Sequence, residues 1–546
     1  MMPSAWGRPR RVAAVTTAVL AAGASLIGTA SADVIPTQYL TATGTVAAPA
    51  YQTYEASSAG TSPVKVDLKL VQTSALGFTI QSTVTDSTAG ATISSNNATA
   101  EVPNSLGGAV AWTSIDGMTY SGKIAYEMAG SYLVTDEVTD SNNATATVSF
   151  TVTTLGSAYT AISPARVLDT RNGTGAATAK VAKGAILKLK IAGAKSIPAS
   201  GVTAVVMNLT VTNASGAGFI TAYPSNDGTS VPNVSNLNYG PGQTIPNSVT
   251  VPVGKDGYVY LYNGGSTAGP VDLVADVSGY YEQSTGSLYT PLPDGDIRVL
   301  DTRTGTGAPA GAVGNGGTVK LLVAQNDTFL PAPGDMSAVA VNITVTNPST
   351  NGFITAYAGG AGATLPNAST VNYAKGQTVA NAAIVPVSSD GYIDLTNTMA
   401  AAGSADIVVD VSGYFSPGLN PYGGSFVPTA PSRDFDSRAD GLGQLQSNVE
   451  YQTALGSWAQ PTVGIAMNVT MTNPKANGFL TIYPEGASLP TGSNVNWGAG
   501  QTVANSDIAT ANQANGWISI YSGGTNGGPA DVVLDVFGYF QSSWNA

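Results

Sequence analysis

The chain repeats one long unit three times, and this repetition limits the possible folds more than any other feature of the sequence. Each copy opens with a charged hexamer: RVLDTR at 166–171, RVLDTR at 298–303 and RDFDSR at 433–438. Each continues through an Asn-x-Thr segment, a Gly-Phe segment and a Gly-Gln-Thr segment, and closes on VADVSGYY, VVDVSGYF or VLDVFGYF. A period of about 130 residues is too long for a solenoid repeat and has the size of a whole domain. The sequence therefore predicts three homologous domains in tandem.

The apolar pattern inside each unit indicates β-strands. In VVMNLTVTN (205–213), Val205, Met207, Leu209 and Val211 occupy every second position. This period of two, with many β-branched residues and turns rich in Gly and Asn, is typical of antiparallel sheets. The predicted fold class is all-β, with tandem antiparallel β-sandwich domains of the immunoglobulin-like or jelly-roll type. Each unit is expected to have about seven or eight strands and no amphipathic helix.

Residues before the first hexamer have a different pattern. The stretch GSYLVTDEVTDSNNATATVSFTVTT (130–154) reads as two alternating strands around an Asp-Ser-Asn-Asn turn. It resembles the last hairpin of bacterial immunoglobulin-like domains of the polycystic-kidney-disease type, and the resemblance implies a fourth β-sandwich. The predicted order is a signal peptide (1–32), an immunoglobulin-like domain with a loose leader (33–157), and three modules: module 1 (158–283), module 2 (288–416) and module 3 (425–541). Short linkers rich in Gly, Ser and Pro predict that the modules are separate, like beads on a string.

The N-terminus reads as a secretory signal. Arg8, Arg10 and Arg11 precede an apolar stretch, and Ala30-Ser31-Ala32 supplies a cleavage pattern. A membrane anchor is the alternative, but the apolar run is short and rich in Ala, Gly and Thr. We therefore expect a secreted protein, extracellular or loosely associated with the cell surface, that does not span the membrane after cleavage.

Composition excludes several functions. The chain has no histidine and no cysteine, which removes the usual general base, thiol nucleophiles, zinc–thiolate sites and disulfides. Its net charge of −12 disfavours nucleic acid as a partner. We expect no cofactor, no metal site and no catalytic residue.

The three units resemble a repeat found in secreted proteins of actinobacteria, with the pattern RhLDTR, NhTVT, GFhT, GQT and DVhGYF, where h is apolar. The resemblance extends over about 160–540 and rests on five separate blocks. It implies an exported β module and names no ligand. Module 3 departs from the pattern at Phe435, Ser437 and Phe537.

Arginine use predicts a structural ion-pair clasp in each module. Every arginine after Arg11 lies in a hexamer, and two aspartates four residues apart recur near the end of each module. Because the first and last strands of a sandwich often meet, we expect these charges to pair across that seam. The alternatives are a carboxylate-binding arginine fork and a Ca²⁺ site built from the aspartates. The predicted clasp residues are Arg166, Asp169, Arg171, Asp272 and Asp276; Arg298, Asp301, Arg303, Asp406 and Asp410; and Arg433, Asp436, Arg438, Asp531 and Asp535.

The Gly-Gln-Thr blocks are the candidate ligand-binding loops. Neutral amides beside one aromatic ring suit a sugar, through stacking and hydrogen bonds to hydroxyls. The alternative is that these residues only build turns. The candidate residues are Asn238, Tyr239 and Gln243; Asn372, Tyr373 and Gln377; and Asn496, Trp497 and Gln501. The expected partners are extracellular polysaccharide or cell-envelope components.

These observations predict a secreted, non-catalytic protein that binds or adheres through three modules, with avidity from linked sites. A purely structural spacer or coat protein is the alternative. A glycan hydrolase that uses the aspartate pairs is a remote one. The sequons at Asn208, Asn342 and Asn468 lie inside apolar strands and are interpreted as polar strand positions rather than glycosylation sites.

Overall fold

All the helical or strand structure in the described part of the chain is β-strand, as the alternating pattern predicts. The computed structural model describes residues 37–39, 51–100, 108–126, 129–225, 230–283, 286–417, 422–455, 462–524 and 529–542. These residues form 36 strands and no helix, so the all-β prediction is confirmed. The described residues therefore include no helix that could cross a membrane. The predicted signal peptide lies outside the described residues.

The N-terminal domain is a two-sheet sandwich with its own apolar core, formed by residues such as Val66, Phe78, Tyr132 and Val148. Its sheets have the strand orders β2-β3-β4-β8-β7 and β10-β9-β5-β6. The strands are β2 (Thr53–Ser57), β3 (Val64–Gln72), β4 (Gly77–Asp86), β5 (Ile93–Ala100), β6 (Gly108–Ala109), β7 (Thr113–Ser114), β8 (Thr119–Ala125), β9 (Ser131–Asp140) and β10 (Thr145–Thr153). The preceding strand, β1 (Thr37–Tyr39), pairs in parallel with a strand of module 3, at Glu450–Gln452.

Each module forms two four-stranded antiparallel sheets, apart from extra short strands in module 2. Module 1 contains β11 (Ala158–Asp169), β12 (Ile186–Lys190), β13 (Val202–Thr212), β14 (Gly218–Pro224), β15 (Leu237–Tyr239), β16 (Ile245–Pro252), β17 (Tyr258–Gly264) and β18 (Asp272–Glu282). Module 2 contains β19 (Ser287–Pro291), β20 (Ile297–Asp301), β21 (Val313–Gly314), β22 (Thr318–Leu322), β23 (Ala338–Thr346), β24 (Gly352–Ala358), β25 (Val371–Tyr373), β26 (Val379–Pro386), β27 (Tyr392–Met399) and β28 (Ser404–Pro417). Module 3 contains β29 (Ser425–Asp436), β30 (Val449–Ala454), β31 (Thr462–Thr472), β32 (Gly478–Pro484), β33 (Val495–Trp497), β34 (Val503–Thr510), β35 (Trp517–Gly523) and β36 (Asp531–Gln541).

The same strand order recurs in all three modules. In module 1 one sheet is β16-β13-β18-β11 and the other is β12-β17-β14-β15, and modules 2 and 3 repeat both orders. The first strand of each module therefore pairs with its last strand, which places Arg166 opposite Asp276 in the register. Each module encloses a separate core of buried aliphatic residues between its sheets.

The three modules pack against one another and are not separate. Asn208 of module 1 donates from its side-chain amide to the carbonyl of Ser369 in module 2 over 2.5 Å. The equivalent bonds run from module 2 to module 3 and from module 3 back to module 1, so the set closes into a ring. The prediction of beads on a string is wrong, because short linkers do not prevent the modules from folding back onto each other.

Six aromatic rings from the three modules form a shared core in this ring of modules. Tyr159 packs on Phe415 with ring centroids 4.6 Å apart, and the pairs Tyr289–Phe540 and Phe426–Tyr281 are equivalent. Each pair joins the first strand of one module to the last strand of the next. The glycine of each closing Gly-Tyr-Tyr or Gly-Tyr-Phe makes room for a ring, since a Cβ at Gly279 would collide with Tyr159.

The N-terminal domain packs on the end of the ring beside these aromatic residues. Ala75, Leu76 and Ala129 of that domain form a buried apolar cluster with the first strands of all three modules, through Ala158, Leu288 and Val427. Loops at one end of a single sandwich thus contact three homologous strands.

Candidate functional site

The first arginine of each hexamer bridges the first and last strands of its module. Arg166 contacts both carboxylate oxygens of Asp276, from Nε at 2.8 Å and from Nη2 at 3.0 Å. Arg298 with Asp410 and Arg433 with Asp535 repeat this bidentate geometry. Only 2% of the Asp276 side chain is exposed, against 21% of Arg166, so the carboxylate is the buried partner. These three pairs have the geometry expected of the clasp.

The second arginine pairs within its own hexamer and does not cross the seam. Arg171 donates from Nε and Nη2 to the two oxygens of Asp169, at 2.8 and 2.7 Å. Hydrogen bonding from Arg171 lowers the pKa of Asp169 below its ordinary value. Arg303–Asp301 and Arg438–Asp436 are equivalent. For these residues the predicted pairing across the seam is wrong, because the turn after the first strand folds the guanidinium back onto the aspartate two residues earlier.

The first aspartate of each closing strand bonds to neutral groups. Asp272 accepts from the Thr170 hydroxyl at 3.2 Å and from the Asn213 amide at 2.8 Å, and the described residues place no arginine in an ion pair with it. Asp406 and Asp531 have equivalent partners in Asn347 and Asn473. The prediction that these three aspartates pair with arginine is wrong. The described residues also contain no cluster of three acidic side chains able to hold a metal ion.

The aromatic residues of the candidate ligand loops lie in the module cores. Tyr239, Tyr373 and Trp497 are 4%, 4% and 6% exposed. The tyrosine hydroxyls donate to Asn263 and Asn397, and the Trp497 indole donates to the carbonyl of Ala476. The prediction that these rings stack on a sugar is wrong, because the short strands β15, β25 and β33 turn them inward.

The glutamines of the same loops cap the backbone of their own turns. The side-chain oxygen of Gln243 accepts from the amide of Gly240, and Gln377 and Gln501 do the same at Ala374 and Gly498. All three glutamines line one pocket of about 730 Å³. The register of β13 with β16 places these loops at the end of the ring opposite the N-terminal domain.

Asparagine residues make most of the side-chain hydrogen bonds between modules. Besides its bond to Ser369, Asn208 accepts from the Asn381 amide of module 2 at 2.9 Å, and the Asn381 oxygen accepts from the backbone amide of Ser248 at 3.2 Å. Asn342 with Asn505 and Asn468 with Asn247 repeat the arrangement around the ring. The sequence interpretation placed Asn208 in a strand but did not predict that it bonds to another module. The asparagine that recurs in each Gly-Gln-Thr block was the signal that could have indicated this role.

One contact between modules contains a pair of buried acids. The Asn494 amide donates to Asp296 of module 2 and to Asp507 of module 3, both at 3.2 Å, and the second oxygen of Asp507 is buried without a hydrogen-bond partner. Burial raises the pKa of Asp507 to about 7. Burial, together with the nearby Asp507 and Asp410, raises the pKa of Asp296 well above its ordinary value. The repeat pattern did not reveal either acid, because neither recurs in the other modules. The positions equivalent to Asp296 are Pro164 and Pro431, and those equivalent to Asp507 are Val249 and Ala383.

A cleft of about 410 Å³ lies between module 3 and module 1. Module 3 contributes Arg433 and Arg438, and module 1 contributes Asn238, Phe219 and Tyr262. The ring of modules thus places two clasp arginines and one predicted ligand residue beside each other. We call this space the 3–1 cleft.

Comparisons with known proteins leave the family open. No family model matches the chain, and no curated protein matches it. Among solved structures, the N-terminal CBM22-1–CBM22-2 tandem domain of Paenibacillus barcinonensis Xyn10C is 11% identical over 48% of this chain and 100% of that chain, with a TM-score of 0.16. An archaeal virus protein with a triple jelly roll fold is 10% identical over 71% of this chain and 91% of that chain, with a TM-score of 0.13. At these TM-scores neither likeness carries an argument, so the β-sandwich assignment rests on the strand order described above.

Proposed function

We propose that the chain is an exported, non-catalytic protein of the cell exterior that binds carbohydrate or cell-envelope material through one rigid body of three modules. The observation that supports this most is the closed ring of contacts between the modules. Linked but separate modules would gain avidity by binding independently. Modules held by buried hydrogen bonds and a common aromatic core instead present fixed clefts between them, which is where small-molecule sites usually occur.

The environment of the aspartate pairs supports a non-catalytic role. A glycosidase needs two carboxyl groups that face the substrate. Asp276 is 3% exposed and accepts hydrogen bonds from Arg166 and from the backbone amide of Ser369. Asp272 is also buried and hydrogen-bonded. Both carboxylates are therefore committed to the fold.

A structural role, as spacer or coat protein, is the second candidate. The observation that favours it is the docking of the N-terminal domain on the first strands of all three modules, through Leu76 and its apolar neighbours. An interface of this kind stiffens the connection between the N-terminal domain and the ring.

The intact chain without residues 1–32, here called the mature chain, tests the proposal. Its retention on cell-envelope and polysaccharide preparations is measured. We expect saturable retention, and no turnover when the same chain is incubated with a glycan panel. Failure to bind any preparation, combined with regular arrays in electron micrographs, would favour the structural role. Glycan turnover that is abolished by Asp276→Asn in a folded protein would contradict both.

A further inference from the structure

We propose that the 3–1 cleft is a binding site for a neutral, hydroxyl-rich ligand such as a segment of a polysaccharide. This inference rests on the proposed function and specifies its site and ligand class. The cleft volume of about 410 Å³ lies in the usual range for small-ligand pockets. Its walls come from two modules, so the site exists only when the ring is closed.

Two side chains that line the cleft, Arg438 and Asn238, have polar atoms without a hydrogen-bond partner among the described residues. Arg438 uses Nε and Nη2 on Asp436, and its Nη1 has no partner among the described residues, while 44% of the side chain is exposed. The Oδ1 atom of Asn238 is buried without a hydrogen-bond partner. An unpaired buried acceptor is costly, so a ligand hydroxyl that meets Oδ1 after rotation of the Asn238 side chain toward the cleft gains affinity.

These two groups distinguish a hydroxyl from a carboxylate. A hydroxyl donates and accepts, so hydroxyls of one ligand can satisfy both Asn238 and Arg438. A carboxylate only accepts, and it would leave Asn238 unpaired. The positive charge of Arg433 and Arg438 is also matched locally by Asp436 and Asp535, which disfavours an anion.

Two aromatic rings complete the wall of the cleft. Phe219 and Tyr262 are half-buried, with ring centroids 6.4 Å apart and planes at 60°. An exposed ring face packs well against the C–H groups of a sugar ring. These rings, unlike those of Tyr239, Tyr373 and Trp497, line an open space.

The other two contacts between modules lack this combination. In module 2, Thr396 stands where module 1 has Tyr262, since both pair with the equivalent threonine in the register. Module 3 has a tyrosine there, Tyr521, but its Asn496 exchanges hydrogen bonds with the Ser493 hydroxyl. Within the described residues, the ring therefore holds one such site rather than three.

Affinity electrophoresis of the intact mature chain tests the proposal, with dextran, laminarin and mannan as neutral probes and polygalacturonate as the acidic comparison. We expect retardation by at least one neutral polysaccharide. Tyr262→Thr should weaken this binding roughly tenfold through loss of the stacking surface, and Asn238→Leu should weaken it by a similar factor. Tyr521→Thr, the matched change in module 3, should leave it unchanged. Equal melting temperatures of the variants establish that the ring is intact.

The outcomes separate this inference from the proposed function. If the chain binds cell envelopes and Tyr262→Thr has no effect on any probe, the proposed function stands and the 3–1 cleft is wrong as the site. Binding of polygalacturonate alone would overturn the ligand class. If Tyr262→Thr and Tyr521→Thr weaken binding equally, the single-site assignment is overturned. Retention on neither envelopes nor probes would overturn both proposals.

Discussion

Two contacts in the ring of modules occupy equivalent positions but differ in chemistry. Between modules 2 and 3, Asp296 and Asp507 share the amide of Asn494. Between modules 1 and 2, the same positions hold Pro164, Ala383 and Thr370, and all three line one small cavity of about 30 Å³. The hydrogen bonds of the asparagine side chains are the same in both places. Duplication within one chain thus allows one contact to acquire ionisable groups while the other two keep the shared architecture.

The largest difference is expected when the clasp beside the acid pair loses its arginine. Arg298→Ala leaves Asp410 unpaired, and burial already raises the pKa of Asp410. We expect a loss of about 3–5 kcal/mol in the free energy of unfolding at pH 7.5. Arg166→Ala should cost less. In module 1 the position equivalent to Asp296 is Pro164, so no acid equivalent to Asp296 lies near the unpaired Asp276.

Chemical denaturation of the intact mature chain measures both changes. Lys188→Ala, which removes the exposed ion pair with Asp256, serves as a surface control and should leave the free energy of unfolding almost unchanged. Losses below about 1 kcal/mol for both arginine variants would show that the clasp does not stabilise the modules.

The acid pair should make stability depend on pH. Burial raises the pKa of Asp507 from 3.8 to about 7, so between these values the folded state holds a proton that the unfolded chain releases. The resulting stabilisation is complete below pH 3.8 and is lost as the pH rises through about 7. Relative to Asp507→Ala, the wild-type free energy of unfolding should fall by about 4 kcal/mol between pH 4 and pH 8.

Denaturation series at several pH values measure this difference. Ala is the residue at the equivalent position of module 2, so Asp507→Ala suits the fold. Parallel pH profiles for the two proteins would contradict a raised pKa at Asp507.

A smaller effect is expected from the shared amide. Asn494→Thr removes the donor to both acids and should cost about 1–2 kcal/mol. Asn236→Thr is the matched change in module 1, where the asparagine oxygen accepts from the amide of Ala222. Thermal melts of the two variants test whether the loss of stability is confined to the contact that contains the acids. Equal losses for Asn494→Thr and Asn236→Thr would contradict this.

The smallest effect is expected at Thr370. Its hydroxyl accepts from the backbone amide of Ala356, the same task that Asn236 and Asn494 perform in their modules. Thr370→Asn should therefore change stability by less than about 1 kcal/mol. A larger loss in a denaturation experiment would mean that the three contacts differ in shape as well as in charge.

The strand pattern allowed much of the fold to be predicted. Period two in residues such as Val205 and Met207 gave the sheets, and the pairing of first and last strands placed Arg166 beside Asp276. The partner of Arg171 could not be read in the same way, because the turn after the strand decides whether its guanidinium reaches Asp169 or the seam.

The candidate ligand residues show where local pattern fails. Asn238, Tyr239 and Gln243 have the composition of a sugar site, but β15 is a strand whose alternation buries Tyr239 and leaves Asn238 facing module 3. A short strand does not reveal from its sequence which face will meet another sheet. Of these three residues, Asn238 lines the 3–1 cleft. It does so together with Arg438, which belongs to module 3 and could not be placed there from the sequence.

The sequence by itself determined that the chain is built from repeated β-sandwich modules, since alternation and turn residues act over a few positions along one strand. Only the tertiary structure decided that the modules close into a ring, because the contacts join residues such as Asn208 and Ser369 that are far apart in the chain. Asparagine and serine carry no information about a distant partner. That partner is selected when whole sandwiches bury their aromatic and amide groups against each other.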